Sequence, residues 1–167
     1  MFLDAFTIFH VIISLVGIAS GFIVVFELIA AKPLGGWNTL FLVTTLATSL
    51  TGFLFPFQGF TPAIGLGIIS TLVLAVAFLA LYRFGLAGGW KRTYAITAVL
   101  AQYLNFFVLV VQLFRRVPAL KELAPTQSEP PFQIVQLAVL LVFAALGTRA
   151  AMKFHAETPH IARAAKA

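Results

Sequence analysis

Read from the N-terminus, the chain alternates long apolar runs with short breaks that carry Pro, Gly or a basic residue. The first run, Phe6 to Ala31, ends at Lys32, Pro33, Gly35 and Gly36. It exceeds the ~20 residues that a helix needs to cross a hydrocarbon core of roughly 30 Å. A second run, from about Asn38 to Phe55, stops at Pro56, because proline removes a backbone donor and disfavours helix in the residue before it. Thr61 and Pro62 supply an N-cap and a first helical position for a third run, which reaches Tyr82 and is closed by Arg83 and Gly85. A fourth run from about Thr93 to Phe114 lies between Lys91-Arg92 and Arg115-Arg116, and a fifth begins at Gln133. The pattern predicts an all-α polytopic membrane helix bundle with five transmembrane helices over about 6–31, 38–55, 62–82, 93–114 and 133–149. These form one domain over 1–155, followed by a short cytoplasmic tail over 156–167. The first run has no basic segment before it and is too long for a signal-peptide core, so it reads as a retained helix.

Basic residues set the orientation. Lys32, Arg83, Lys91, Arg92, Arg149, Lys153, Arg163 and Lys166 fall on one side of a five-span arrangement, against Arg115, Arg116 and Lys121 on the other. The richer side is expected to be cytoplasmic, which puts the N-terminus outside and the C-terminus inside, with Trp37 and Trp90 as cytoplasmic interface anchors. Gly35-Gly36-Trp37 recurs as Gly88-Gly89-Trp90, an echo that either an old hairpin duplication or the ordinary habits of Gly and Trp would produce.

Composition narrows the function classes. With 61% hydrophobic and 10% charged residues and a mean hydropathy of +1.04, the chain lacks the polar surface a water-soluble domain needs, and its partner is the lipid bilayer. The net charge of +6 would suit nucleic acid, but the cations flank apolar runs as membrane topology requires, so no nucleic-acid partner is expected. The absence of Cys excludes disulfides, thiolate metal sites and cysteine nucleophiles.

Few residues could support chemistry. His10, Ser14, Gly17, Gly21 and Leu28 share one helical stripe, expected to face protein. Gly17 and Gly21 form a small-residue pair suited to helix packing, either inside one bundle or across a homodimer. His10 and Glu27 are the intramembrane ionisable groups, about 25 Å apart along one helix and so near opposite boundaries. Glu27 is expected to reach the cytoplasmic interface or to pair with Lys32 or Arg83. His10 is either hydrogen-bonded to a neighbouring helix or part of an outward-facing pocket with Ser14, Thr51, Gln58 and Gln112, where Gln133 and Gln136 would also lie. A pocket of that kind would take a quinone or lipid. No catalytic set and no metal spacing occurs, and no cofactor is predicted. With His155 and His160 in the tail, bis-histidine haem ligation within one chain is ruled out by the expected topology. The Thr44, Thr45, Thr48, Ser49, Thr51 and Gly52 face suits either a helix interface or a narrow hydrated path. The Pro-rich loop from Val117 to Phe132 is expected to open with one helical turn at Pro118 and then to run extended as a stiff cover.

Three stretches carry a resemblance: Phe9-His10 through Ser14 to Gly17, Thr51 through Pro56 and Gly59 to Pro62, and Ala124 through Glu129 to Phe132. Together they resemble a family of small bacterial inner-membrane proteins with no established activity. The resemblance implies a bacterial cytoplasmic membrane and the same span count, and transfers no functional residue. Three function classes follow from the sequence: a non-enzymatic accessory or structural membrane subunit, alone, as a homo-oligomer or with other membrane proteins; a binding protein for a small hydrophobic ligand near His10; and a small permeation or transport protein.

Overall fold

A computed structural model describes residues 2–56, 59 and 62–156. The described residues form α1 (Phe2–Ile29), α2 (Gly36–Gly52), α3 (Pro62–Phe78, prolonged by a π-helical turn at Leu79–Arg83), α4 (Trp90–Arg116), the short α5 (Pro118–Leu123) and α6 (Pro130–Ala156). The protein is all-helical, with no strand among the described residues.

The five long helices alternate in direction. His10 meets Thr51 and Gly17 meets Thr44, so α1 and α2 run antiparallel. Tyr94 meets Asn38 and Asn105 meets Thr45, so α4 runs parallel to α2. Phe114 packs on Phe132 and Tyr94 on Phe154, which turns α6 back along α4. The N-terminal end of α1 therefore shares one end of the bundle with the α4–α6 connection. Glu27, Arg83, Lys91 and Lys153 occupy the other.

The core is formed by Val24, Val25 and Leu28 of α1, Phe41 and Leu42 of α2, Leu74, Ala77 and Ala80 of α3, Tyr94, Ala95, Ala98 and Ala101 of α4, and Phe143, Ala150 and Phe154 of α6. Much of the remaining apolar surface faces outward. Leu72 of α3 is 63% exposed and Ile134 of α6 66%, and only 17% of the most apolar stretch of α6 is buried within the molecule. Surface of that kind needs an apolar solvent. Four helices, Asp4–Ile29, Pro62–Arg83, Trp90–Arg116 and Pro130–Phe154, are long and apolar enough to cross a membrane. At 17 residues α2 is about 25 Å long, so length and hydropathy together mark four crossings where the apolar runs suggest five.

Several boundaries differ from the sequence pattern for identifiable reasons. The second helix ends at Gly52, not Phe55, because Pro56 has no N–H to offer the Gly52 carbonyl and its ring crowds that oxygen. Phe53 and Leu54 close the end with 3₁₀-type bonds to Leu50 and Thr51. The fourth and fifth apolar runs lie within longer helices, since charged residues such as Lys91, Arg92 and Lys153 end an apolar stretch without ending a helix. The Val117–Phe132 connection does begin with a helical turn, α5, but then bends instead of running extended. Gln127 takes φ +61°, its N–H bonds back to the Ala124 carbonyl, and Pro130 already starts α6. The two Gly-Gly-Trp copies open their helices by different routes: Gly35 is extended at φ −115°, whereas Gly88 sits at φ +53°. The shared motif is thus not a shared turn.

Candidate functional site

The polar residues inside the bundle fall into three seams. The first joins α1 to α2. His10 Nδ1 lies 2.8 Å from Thr51 Oγ1, while the Thr51 hydroxyl donates to the Ala47 carbonyl at 2.7 Å. With its one proton so used, Thr51 accepts from Nδ1–H, which leaves Nε2 as the imidazole's lone-pair nitrogen. Phe55 stands edge-on to the imidazole at 5.1 Å and Phe6 packs on Phe55. One turn deeper, the Ser14 hydroxyl donates to the His10 carbonyl at 2.6 Å and faces Thr48 Oγ1 at 3.4 Å.

The second seam lies at the centre, where α1, α2 and α4 meet. Gln102 is fully buried and its Nε2 donates to the Ile18 carbonyl at 2.8 Å. Its Oε1 has no hydrogen-bond partner and rests against Gly21, where a methyl group would overlap the carboxamide and stand 2.8 Å from Phe41 Cε2. Gly17 is cut to fit in the same way: a Cβ there would lie 3.1 Å from Thr44 Oγ1. Asn105 Nδ2 donates to Thr45 Oγ1 at 3.0 Å, and nearer the far end the Tyr94 hydroxyl donates to Asn38 Oδ1. The Gly17–Gly21 pair is occupied by this chain's own helices and presents no face to a second copy.

The third seam joins α4 to α6. Gln136 Nε2 donates to the Phe107 carbonyl at 3.3 Å, with its Oε1 buried and unpartnered, whereas the exposed Gln133 lies outside the seam and donates to the Ser128 carbonyl of the preceding turn at 2.7 Å.

The residues singled out from the sequence are therefore only partly brought together. His10, Ser14 and Thr51 form one cluster. Gln112 is exposed on α4 and shares no hydrogen bond with them, while Gln136 serves the α4–α6 contact and Gln133 bonds to the turn before its own helix. Gln58 lies outside the described residues, as do His160 and the side chain of His155. Of the two expectations for Glu27, the ion pair is not formed. Its Oε2 is buried without a hydrogen-bond partner, and neither Lys32 nor Arg83 forms an ion pair with it among the described residues. The Thr-rich face of α2 is taken up by α1 and, at Thr45, by α4, with Thr44 and Thr51 also bonded back to their own helix.

Among the described residues two surface clefts stand out, and neither is lined by His10. One, of about 310 Å³, is an apolar groove bordered by Phe22, Phe106 and Phe143. The other, of about 440 Å³, lies at the α4–α6 connection and is lined by Phe114, Arg115, Arg116, Lys121 and the Pro125–Gln127 turn. Pattern reading missed this second cleft, because Arg115-Arg116 and Lys121 read as separate flanking charges. The signal was the proline turn that folds one back towards the other.

Beside it, Glu129 caps the first turn of α6 through its carbonyl and holds the connection through its carboxylate, which accepts from Thr126 Oγ1 at 2.8 Å, Thr126 N–H at 3.2 Å and Ser128 N–H at 3.1 Å. Desolvation works to raise the Glu129 carboxyl, but these hydrogen bonds outweigh it and hold the group below the ordinary carboxylate range.

No family model, curated protein or solved structure matches the chain.

Proposed function

We propose that this chain is a five-crossing protein of a bacterial cytoplasmic membrane, N-terminus outside and C-terminus inside, acting as a non-enzymatic accessory or structural subunit. Alternation of five helices supports the fifth crossing, since α2 runs antiparallel along α1 and its shortness is met by local thinning or by flanking turns. Lys32, Arg83, Lys91, Arg92, Arg149 and Lys153 at one end support the orientation. The motif resemblance points to the same membrane.

The observation that carries the functional reading is where the intramembrane polar groups are used. His10 is engaged by Thr51, Gln102 by Ile18, Asn105 by Thr45 and Gln136 by Phe107, all across helix interfaces. A transporter or enzyme aims such groups into a cavity, whereas a structural bundle spends them on its own packing. Native mass spectrometry of the protein released from its membrane in mild detergent tests this. The reading expects a homo-oligomer or a complex with another membrane protein, unchanged by His10→Ala.

One observation favours a second reading, a small hydrophobic ligand such as a quinone or lipid near His10. The half-buried His10 keeps Nε2 without a partner among the described residues, at the end of the bundle where Phe6 and Phe55 gather. A small-molecule mass retained by the wild type and lost in His10→Ala would establish it in place of the first.

A further inference from the structure

The cleft at the α4–α6 connection has a composition that membrane topology does not explain. Eight of the eleven basic residues belong to the opposite side of the sequence-derived arrangement, and the three that remain all line this one cavity. Arg115 and Arg116 come from the last turn of α4, where cations complement the helix's carbonyl end. Lys121 comes from the last turn of a separate helix, α5, and the bend between the two helices brings it to the same cleft.

The frame around the three cations is fixed. Val117 bonds to the Leu113 carbonyl and Lys121 to the Val117 carbonyl, both at 2.9 Å, so α5 continues from α4 through a single bend. Ala124 is fully buried with Phe114 and Val110, anchoring the far side of the turn. Gln127 Nε2 donates to the Val111 carbonyl at 2.9 Å and pins the turn against α4. Among the described residues no carboxylate lines the cleft. Glu129 is held by Thr126 and Ser128, Glu122 is exposed on α5 next to Lys121, and among the described residues none of the three cations forms an ion pair.

We propose that Arg115, Arg116 and Lys121 form a binding site for a phosphate-bearing anion, supplied either by the headgroup of an anionic phospholipid or by free phosphate. Two guanidinium groups offer planar paired donors to phosphate oxygens and the ammonium adds a point charge. The cleft volume of about 440 Å³ holds a phosphate with its ester substituents, and a position at the end of four apolar helices is where lipid headgroups lie.

The test uses the full chain in neutral detergent. Native mass spectrometry compares retention of phosphatidylglycerol with phosphatidylcholine of the same acyl chains, and thermal shift follows added inorganic phosphate. The variants are Arg115→Gln/Arg116→Gln/Lys121→Gln and a charge-matched control at the other end, Arg92→Gln/Arg149→Gln/Lys153→Gln. Preferential retention of phosphatidylglycerol that falls about tenfold or more in the first variant, and not in the control, identifies a lipid headgroup site. A phosphate-dependent rise in Tm lost only in the first variant, without lipid preference, identifies free phosphate. Should the triple variant fail to fold, Lys121→Gln, exposed on α5, carries the same test with a loss of about threefold. Equal retention of both lipids with no phosphate response, or equal loss in the control, overturns the proposal.

Discussion

At the scale of single residues, the molecule depends on notches as much as on bonds. Lipid provides no hydrophobic drive for one helix to leave it for another, so close backbone approach and the hydrogen bonds it permits must hold the bundle. Gly21 is the tightest notch. Displacing the Gln102 carboxamide there would cost its bond to Ile18, because the amide is fully buried and has nowhere to turn. Gly21→Ala should therefore destabilise by about 1–3 kcal/mol, measured as a loss of Tm or of resistance to denaturing detergent. Gly35→Ala, where nothing lies within 4 Å of a new Cβ, should be near neutral. A Gly21→Ala/Gln102→Ala pair should cost less than the sum of its parts if the overlap is the cause. The His10–Thr51 bond is more modest: a double-mutant cycle with His10→Ala and Thr51→Val should give a coupling of about 0.6 kcal/mol, the usual size inside a membrane. Glu129 governs pH response. Its carboxyl is held low in the fold, so its contribution to the order of the turn is complete above the ordinary carboxylate pKa and is lost as pH falls through the depressed value. A spin label at Pro125→Cys, in a chain with no other cysteine, should be immobile at neutral pH and mobilise in acid. The same label in a Glu129→Gln background should show no such transition.

At the scale of elements, sequence pattern and structure agree where hydropathy is the governing force and part where hydrogen-bond geometry takes over. The apolar runs located every long helix, because a run of that length has no other way to satisfy its backbone in lipid. They misplaced helix ends, since Trp90–Arg92 and Ala150–Ala156 are helical outside the predicted spans. The stripe of His10, Ser14, Gly17 and Gly21 was legible from helical spacing. Which helix it would meet was not, and neither was the divergence of Gln112, Gln133 and Gln136 to other faces, since one chain's pattern gives each helix a face but not its neighbour. The basic cleft was hidden for a similar reason: it needs the αL turn at Gln127, a conformation that glycine usually supplies. That turn rests on one side-chain bond to α4. Gln127→Ala should raise amide hydrogen exchange across 124–129 by about fivefold, the loss of roughly 1 kcal/mol, while exchange within α6 stays unchanged.

At the scale of the whole molecule, the count and direction of crossings decide which face of the membrane each end of the bundle meets. Four helices meet the length and apolarity needed to span, and α2 falls a few residues short. If α2 crosses, the chain ends lie on opposite sides of the membrane; if it only enters and returns, they lie on the same side. Antiparallel pairing of α1 with α2 along Gly21–Phe41, Gly17–Thr44 and His10–Thr51 argues for a crossing, because that pairing carries α2 from the middle of α1 almost to its start. Arg115 and Arg116 lie at the opposite end of α4 from Lys91 and Arg92 in either case, and the leaflet that the anion site would face depends on which end of the bundle is outside. The decisive measurement is labelling of two single-cysteine variants, Ala5→Cys and Lys153→Cys, both exposed at opposite ends of the bundle, with a membrane-impermeant maleimide in intact and permeabilised cells. With five crossings and the N-terminus outside, Ala5→Cys should react in intact cells and Lys153→Cys only after permeabilisation of the inner membrane. Reaction of both from the same side would contradict it.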